Sequence, residues 1–555
     1  MNQRRKMHID KKYLHLPVRT GAQKVVIGLT VGGEQVREFD AELDSENPDF
    51  TAAADVGAFV GQTVTVTAKP LPPKSAQLEA AKTTDFPVLL PKSLTQGDEL
   101  TDNGPLYGEK LRPQFHFSSK IGWINDPNGL MYYDGEYHLF YQHNPFGWSH
   151  GNMHWGHAVS RDLIHWVELD EALFPDESGT MFSGSGVVDH NNSLGLQRGS
   201  EKTLVCIYTA AGGSSPWSAS HPFTQCIAYS NDRGRTWQKH ACNPVLNHIV
   251  AENRDPKVIW HEATSRWIMA LYLDKYEYAL FCSPNLLKWE RTCDLTIAEG
   301  RECPDFFGLP VDGDSANTWW VFWTAGGPYL LGRFDGKKFT AEGEPLRFQF
   351  GRSYAAQTWS DIPASDSRRM QIAWLQGDKP GMPFNQQMSF PCELSLRSTP
   401  KGVRMFAEPV RELERLRLRR VVLDPSLPMP DDLGELLELR LTVDLPTHAA
   451  AGRAVLSIRG IEVVYDRGNG TLTLGDQVAP LHLVGESLAL QILVDRSSIE
   501  VFAQHGVVTL SVGFIPTGKR DDPLLRVEGG NTGVCQCVAF ELKSIWPKSR
   551  SNANP

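Results

Sequence analysis

Three acidic residues are candidates for chemistry, and each lies in a short stretch of the sequence. Asp126 lies in "WINDPNG", Asp255 in "ENRDPKVIW" and Glu302 in "ECPDFFGL". Taken singly, such an acid is more often a turn or solvated surface residue, and the turn-formers around Asp126 predict a hairpin corner. Three carboxylates at one place would repel each other, which separates their pKa values and keeps one of them protonated. Glycosidic hydrolysis needs one ionised carboxylate, one protonated carboxyl and donors for sugar hydroxyls.

Whether these acids can meet depends on the fold, and a degenerate repeat bears on that question. Five segments share an apolar strand, a short polar turn and an aromatic residue opening another strand: residues 157–169, 227–240, 280–292, 331–343 and, more loosely, 394–409. Intervals of roughly 50–70 residues are typical of propeller blades, each a four-stranded sheet. Five unrelated hairpins in a large β-sandwich are the alternative, and the pattern favours the propeller.

A second series of segments lies upstream of these hairpins and would begin each blade. Its members are residues 123–133, 182–189, 252–260, 302–309 and 354–359. In a propeller the first strand of every blade lines the central channel, and these strands start at one end. The sequence therefore predicts that the three acids converge in one funnel. Arg254, next to Asp255, would add a fixed positive charge with several donors.

The 555 residues are too many for one ordinary core and predict several domains. Strand-like alternation with polar or Gly-rich turns runs along the whole chain, which indicates an all-β fold. The predicted order is a small N-terminal β-domain (1–70), a linker (71–105), a five-bladed β-propeller (106–410), a linker (411–430) and a C-terminal β-sandwich (431–555).

Composition excludes several classes of function. The net charge of −10 argues against a nucleic-acid partner, and the absence of any apolar run of about eighteen residues argues against a membrane span. The nine scattered cysteines and the histidines at 154 and 157 lack metal-ligand spacing, so neither a metal nor a cofactor is expected. The start "MNQRRKMHIDKK" does not resemble a signal peptide, which indicates a cytoplasmic protein as written; a secreted or periplasmic chain after signal removal would look the same.

Six motifs in order resemble those of glycoside hydrolase family 32, the invertases, inulinases and levanases. They are "WINDPNG", "FYQHNP", "MHWGHAVSRDLIHW", "FSGS", "RDP" and "ECPD". The resemblance covers about residues 111–545, and "VDRSSIEVF" (494–502) is similar to the accessory sandwich of that family. It implies a five-bladed propeller followed by a sandwich, in agreement with the repeat.

The resemblance also implies roles for individual residues. Asp126 would be the nucleophile on a fructofuranosyl unit, Glu302 the general acid and then base, and Asp255 the residue that holds fructose hydroxyls and stabilises the transition state. Arg254 would bind sugar and help set the proton affinity of Glu302. The positions matching the fructose pocket of the family are Asn125, Gln142, Phe182, Ser183 and Trp374.

Two positions in this resemblance need separate treatment. His150 stands where family members often carry Trp; it is a candidate for substrate contact, and Trp148 is a candidate for the missing apolar wall. Cys303, directly after the predicted acid, is expected to be a small buried neighbour and neither nucleophile nor ligand.

The resemblance implies a retaining, exo-acting β-fructosidase that releases terminal fructose from levan, from inulin or from both, and that also cleaves sucrose; the sequence does not decide the linkage preference. A sucrose-restricted invertase, a fructosyltransferase and an inactive fructan-binding propeller are the alternatives. The N-terminal domain could be a sugar-binding module, a dimerisation surface or a packing partner, and packing is favoured.

Overall fold

The chain is almost entirely β-structure in the computed structural model, which describes residues 3–71, 94–100, 106–445, 452–516, 524–528 and 533–547. Helical structure within these ranges is limited to 3-10 turns at Gly57–Phe59, Glu262–Thr264 and Arg411–Leu416. No helix among the described residues is long and apolar enough to cross a membrane. The all-β prediction is confirmed.

The N-terminal residues form two small sheets packed face to face. Their strands are β1 Gln3–His8, β2 Tyr13–Val18, β3 Lys24–Val31, β4 Glu34–Glu42, β5 Phe50–Asp55, β6 Thr63–Pro70 and β7 Thr95–Gly97. One sheet has the order β1-β6-β3-β4 and the other β5-β2-β7. Strand β7 lies within the segment predicted as linker, most of which (72–93 and 101–105) is outside the described residues.

The five blades of a propeller follow, and blades 4 and 5 belong to one ten-stranded sheet in which β20 pairs with β30. Blades 1 to 3 comprise β8 Gly122–Tyr133, β9 Glu136–Asn144, β10 His154–Ser160, β11 Trp166–Glu168; β12 Thr180–Asp189, β13 Thr203–Ala211, β14 Phe223–Ser230, β15 Gln238–Lys239; and β16 Arg254–His261, β17 Arg266–Asp274, β18 Glu277–Ser283, β19 Glu290–Thr296. Blades 4 and 5 and their additions comprise β20 Asp305–Val311, β21 Asp314–Trp323, β22 Pro328–Phe334, β23 Phe339–Ala341, β24 Leu346–Arg347; and β26 Ser353–Thr358, β27 Arg369–Leu375, β29 Gln387–Met388, β30 Cys392–Thr399, β31 Gly402–Pro409. Strand β28 Phe384–Asn385 belongs to blade 1, which it extends by pairing with β8 in parallel.

The five repeated segments are the outer two strands of the five blades. In four blades an Asp or Asn in the connecting turn accepts backbone N–H bonds from residues two to four positions ahead; these residues are Asp162, Asp232, Asn285 and Asp335. Such side chains replace the missing backbone partners of a tight turn. The turn chemistry therefore explains why the repeat is visible in the sequence.

The first strands of the blades close into a ring. Strand β8 contacts β12, β12 contacts β16, β16 contacts β20, β20 contacts β26, and β26 returns to β8. Polar bonds cross the centre: Lys257 donates to the Thr358 carbonyl at 2.6 Å and lies 3.3 Å from Asp305. Both charged groups are almost fully buried, so each needs the other as a partner. The five-bladed arrangement predicted from the repeat is confirmed.

A two-sheet sandwich follows the propeller. Its strands are β25 Gln349–Gly351, β32 Arg417–Val422, β33 Leu437–Asp444, β34 Arg453–Ile458, β35 Ile461–Asp466, β36 Thr471–Leu474, β37 Gln477–Pro480, β38 Ser487–Val494, β39 Ser498–Ala503, β40 Val508–Gly513, β41 Leu525–Glu528 and β42 Gly533–Leu542. The sheet orders are β25-β40-β39-β38-β33-β42-β32 and β37-β36-β35-β34-β41. Strand β25 comes from between blades 4 and 5, so the sandwich is joined to the propeller through a shared sheet.

A buried ionic cluster also connects the propeller to the sandwich. The ring of His116 lies 2.8 Å from Asp495 and 2.7 Å from Glu500, both of the sandwich. Asp495 accepts backbone N–H bonds from three consecutive residues, Gln114 to His116, and Glu500 accepts one from Phe390. Burial opposes a charge on His116, but the two carboxylates outweigh it and raise its pKa to about 9.

The N-terminal domain packs on blade 1. Phe39 of β4 stacks on Phe146 with ring centroids 3.9 Å apart. Asn152 exchanges two hydrogen bonds of 2.8 Å with the backbone of Asp40. Because β4 is an edge strand of its sheet, these bonds satisfy backbone groups that would otherwise stay open.

Candidate active site

Asp126 lies within strand β8 and not at a hairpin corner. The strand runs unbroken over Gly122–Tyr133, and its register with β9 shifts twice, between Ile124 and Pro127 and between Asn128 and Met131. The turn-forming residues therefore make bulges, because Pro127 has no N–H for the ladder and Gly129 adopts a positive φ of 57°. The expected hairpin corner is wrong, and the bulges turn the strand where it carries its acid.

Several hydrogen-bond donors lie close to the carboxylate of Asp126. The hydroxyl of Ser183 donates to Oδ2 at 2.7 Å, and the thiol of Cys303 lies 3.4 Å from the same oxygen. Burial raises the pKa of Asp126, while hydrogen bonds from Ser183, Asn125 and Cys303 act in the opposite direction. These donors stabilise the ionised form of Asp126, which its predicted role as nucleophile requires.

Asp255 is the most buried of the three acids, at 5% exposure. Its backbone has a positive φ of 64°, and its N–H donates to the Thr209 hydroxyl at 2.9 Å. Its Oδ2 accepts the N–H of Cys303 at 3.1 Å and lies 3.4 Å from the thiol. A non-glycine residue in this conformation is strained, and such strain concentrates at functional sites.

Burial raises the pKa of Asp255 to about 7. The charge of Arg254 acts in the opposite direction, and the charges of Asp126 and Glu302 also raise the pKa. Since the unfolded chain releases this proton at lower pH, the folded state loses stability as pH rises from about 4 to 7. We expect Asp255→Asn, which cannot ionise, to be more stable than the wild type at pH 8, by roughly 4 kcal/mol as an upper bound, and the difference to vanish near pH 4. Thermal unfolding over this pH range measures it.

Glu252→Gln is the matched control, because Glu252 also contacts Arg254, at 3.4 Å, but is exposed. It should change stability equally little at both pH values. If the wild type were more stable than Asp255→Asn at pH 8, the ionised Asp255 would not destabilise the fold, and the raised pKa of Asp255 would be contradicted.

Glu302 stands at the opening, with its side chain 30% exposed. Tyr354 donates to its Oε1 at 2.7 Å, and the Arg254 guanidinium lies 3.9 Å from Oε2. The same guanidinium lies 3.6 Å from Asp255 and 4.9 Å above the ring of Tyr272. Burial opposes its charge, but Asp255 and Glu302 raise the pKa of Arg254, which is therefore fixed as a cation between two acids.

The predicted pocket residues fall into two groups. Asn125, Gln142 and Ser183 are buried on adjoining strands: Asn125 accepts the Trp123 indole N–H at 3.0 Å, and Gln142 donates to the Met181 carbonyl at 2.7 Å. The aromatic residues are more open. Phe182 meets the ring of His150 edge-on at 6.0 Å, and Trp374 meets Trp123 and Tyr354 edge-on at 5.8 and 6.3 Å.

Trp148 and Trp155 have structural contacts. The indole N–H of Trp148 donates to the Met382 carbonyl at 3.1 Å, which ties blade 1 to the segment before β28. Trp155 is fully buried and packs against Phe140 and Tyr208.

Models of a known family match both large parts of the chain. The model "Glycosyl hydrolases family 32 N-terminal domain" matches residues 116–409, and "Glycosyl hydrolases family 32 C terminal" matches residues 434–541. The chain belongs to glycosyl hydrolase family 32. It is a glycoside hydrolase, and the family resemblance read from its motifs is confirmed.

Relatives and solved structures of family 32 match most of the length of this chain. A levanase of Bacillus subtilis (strain 168) is 38% identical over 492 residues, covering 79% of this chain and 72% of the levanase. An extracellular exo-inulinase of Aspergillus awamori is 28% identical, covering 79% and 96%. The crystal structure of exo-inulinase from Aspergillus awamori superimposes with a TM-score of 0.69 at 28% identity, covering 79% of this chain and 100% of that chain.

Three residues of this family 32 enzyme were missed as parts of the site. Tyr354 opens the fifth member of the series of blade starts, so its position in the sequence could have pointed to the funnel. Cys303 was predicted as a buried neighbour, but its N–H and thiol connect Asp126 with Asp255. Thr209, in the second strand of blade 2, carried no signal in the sequence.

Proposed function

We propose that this enzyme is a retaining, exo-acting β-fructosidase that releases terminal fructose from fructans and also cleaves sucrose. The proposal rests on the contacts of Cys303 and Arg254, because these contacts connect three carboxylates from three blades around one opening. The relatives named levanase and exo-inulinase support the same class of substrate.

The first half of the reaction forms a covalent intermediate. A carboxylate oxygen of Asp126 attacks the anomeric carbon of the terminal fructose, and the bond from that carbon to the glycosidic oxygen breaks. Glu302 gives its proton to the departing oxygen, which leaves as a hydroxyl on the remaining sugar. The hydroxyl of Tyr354 orients the carboxyl of Glu302 for this transfer.

The second half of the reaction restores the enzyme. Glu302, now ionised, takes a proton from water, and the water oxygen bonds to the anomeric carbon as the bond to Asp126 breaks. Two displacements at one carbon give a product with retained configuration. The geometry expected for this mechanism is a separation of about 5–5.5 Å between the two carboxyl groups.

Asp255 stabilises the transition state without forming a bond. Its buried carboxyl, beside Arg254, holds fructose hydroxyls and strengthens these bonds as positive charge develops on the ring. Asn125, Gln142, Ser183 and the aromatic group of His150, Phe182 and Trp374 shape the pocket for that ring. Asp255→Asn should therefore lower kcat/KM even though it stabilises the fold.

Separation of products from levan, inulin and sucrose tests the proposal. Fructose alone from both polymers supports exo action, a ladder of oligosaccharides supports endo action, and longer products support transfer. Turnover of sucrose alone supports an invertase, and binding without turnover supports an inactive fructan-binding propeller. Proton NMR during the first minutes should show β-fructofuranose as the initial product, and the α-anomer as the first product would refute retention.

A further inference from the structure

A large cleft separates the N-terminal domain from blades 1 and 2. It has a volume of about 1240 Å³, and its walls come from β3, β4 and the end of β6 on one side and from residues 150–153 and 213–219 on the other. Single small-molecule sites span about 300–1000 Å³. The cleft is therefore large enough for several linked rings.

The cleft opens directly onto the fructose pocket. His150 and Phe182 line it, and Phe182 is followed by Ser183, which donates to Asp126 at 2.7 Å. A chain whose last ring lies between Asp126 and Glu302 must leave over the rim of the funnel.

The two walls are held at a fixed distance. Asn152 bonds the backbone of Asp40 at one end, and Glu38 accepts the backbone N–H of Trp217 at 2.7 Å at the other. Glu38 and Asp40 both belong to β4, and Phe39 between them stacks on Phe146. A preorganised cleft avoids the ordering cost that a flexible binding segment would incur.

The lining suits a neutral, hydroxyl-rich polymer. The lining combines apolar surface from Phe182, Pro70 and Leu71 with polar groups of Gln23, Lys69 and Ser215. Sugar rings present apolar faces and hydroxyl edges, which match such a mixture. The charges on the wall have both signs, with Lys24 and Asp40 paired at 3.2 Å, so a highly charged polymer gains little here.

We infer that this cleft binds the further fructosyl units of a fructan chain, and that the N-terminal domain thereby determines preference for chain length. This rests on the proposed function. It assigns to the N-terminal domain a role in substrate binding beyond packing.

A bulky residue placed in the cleft tests the inference. Ala219 is exposed and lines the cleft, whereas the neighbouring exposed Ser220 does not, so Ala219→Trp and Ser220→Trp are a matched pair. Ala219→Trp should raise KM for long inulin or levan chains about five- to tenfold with kcat little changed, because uniform binding is lost. Sucrose, which is too short to reach the cleft, should change less than about twofold. Lys69→Ala should also raise KM for long inulin or levan chains. Its control is Lys6→Ala, at an exposed position of β1.

A binding measurement separates this inference from the proposed function. In a Glu302→Gln background, calorimetric titration with inulin oligosaccharides should give an affinity that rises with chain length, and Ala219→Trp should remove that rise while Ser220→Trp keeps it. Equal effects of Ala219→Trp on sucrose and on polymer, or no effect on either, would overturn the inference. A wild type that binds long chains but releases no fructose would refute the proposed function alone.

Discussion

Asp126→Asn is expected to reduce fructose release by at least about 10⁴-fold with sucrose and fructan alike, because the carboxylate proposed to form the covalent bond to the anomeric carbon is lost. The substitution keeps the shape of the side chain and its contact with Ser183, so the fold should remain intact. Initial rates of fructose release and a thermal unfolding curve measure the two effects.

The control for this variant is Asp134→Asn. Asp134 lies just beyond the other end of β8 and pairs at the surface with Arg233 at 2.8 Å, and an exposed pair of this kind contributes little. Its activity should stay near the wild-type value. Near-normal turnover of Asp126→Asn would remove Asp126 from the role of nucleophile.

Glu302→Gln is expected to lower kcat on sucrose by about 10²- to 10⁴-fold, because the side chain proposed both as proton donor and as the base that activates water is lost. An aryl fructoside with an acidic leaving group needs little protonation, so its first step should be nearly preserved. Added azide needs no base, and it should restore turnover of the aryl fructoside by forming a β-fructosyl azide. Chromatography and NMR of that product measure the rescue.

Glu299→Gln is the matched control, since Glu299 is an exposed acid three residues earlier and adjoins the same opening. It should neither lose activity nor respond to azide. Rescue of Asp126→Asn by azide with retention, or failure to rescue Glu302→Gln, would contradict the division of roles between the two acids.

Much of the propeller could be predicted from the sequence because its signals are local. The turns held by Asp162, Asp232, Asn285 and Asp335 repeat a side-chain chemistry that needs no distant partner. The first strands could be placed by their distance upstream of these turns. The packing of the N-terminal domain on blade 1 had no such local signal, because it depends on contacts such as Phe39 with Phe146 across more than 100 residues.

The acids could be predicted as a group together with Arg254, but the contacts that Cys303 and Thr209 make with them could not. Asp255, Cys303 and Ala355 all have positive φ, with values of 64°, 52° and 50°, although none of them is glycine. Sequence propensity gives no indication of such conformations, which surrounding contacts impose. The same limit explains the wrong expectation of a corner at Asp126, where turn-forming residues make bulges inside a strand.

The cluster around His116 has a consequence for how the molecule comes apart. Separating propeller from sandwich would leave Asp495 and Glu500 without their shared cation and four backbone donors, so the two parts should unfold in one cooperative transition. The contribution of His116 is complete below its ordinary pKa near 6.5 and is lost as pH rises through about 9. Alkaline conditions are therefore expected to loosen this joint at a distance from the chemistry itself.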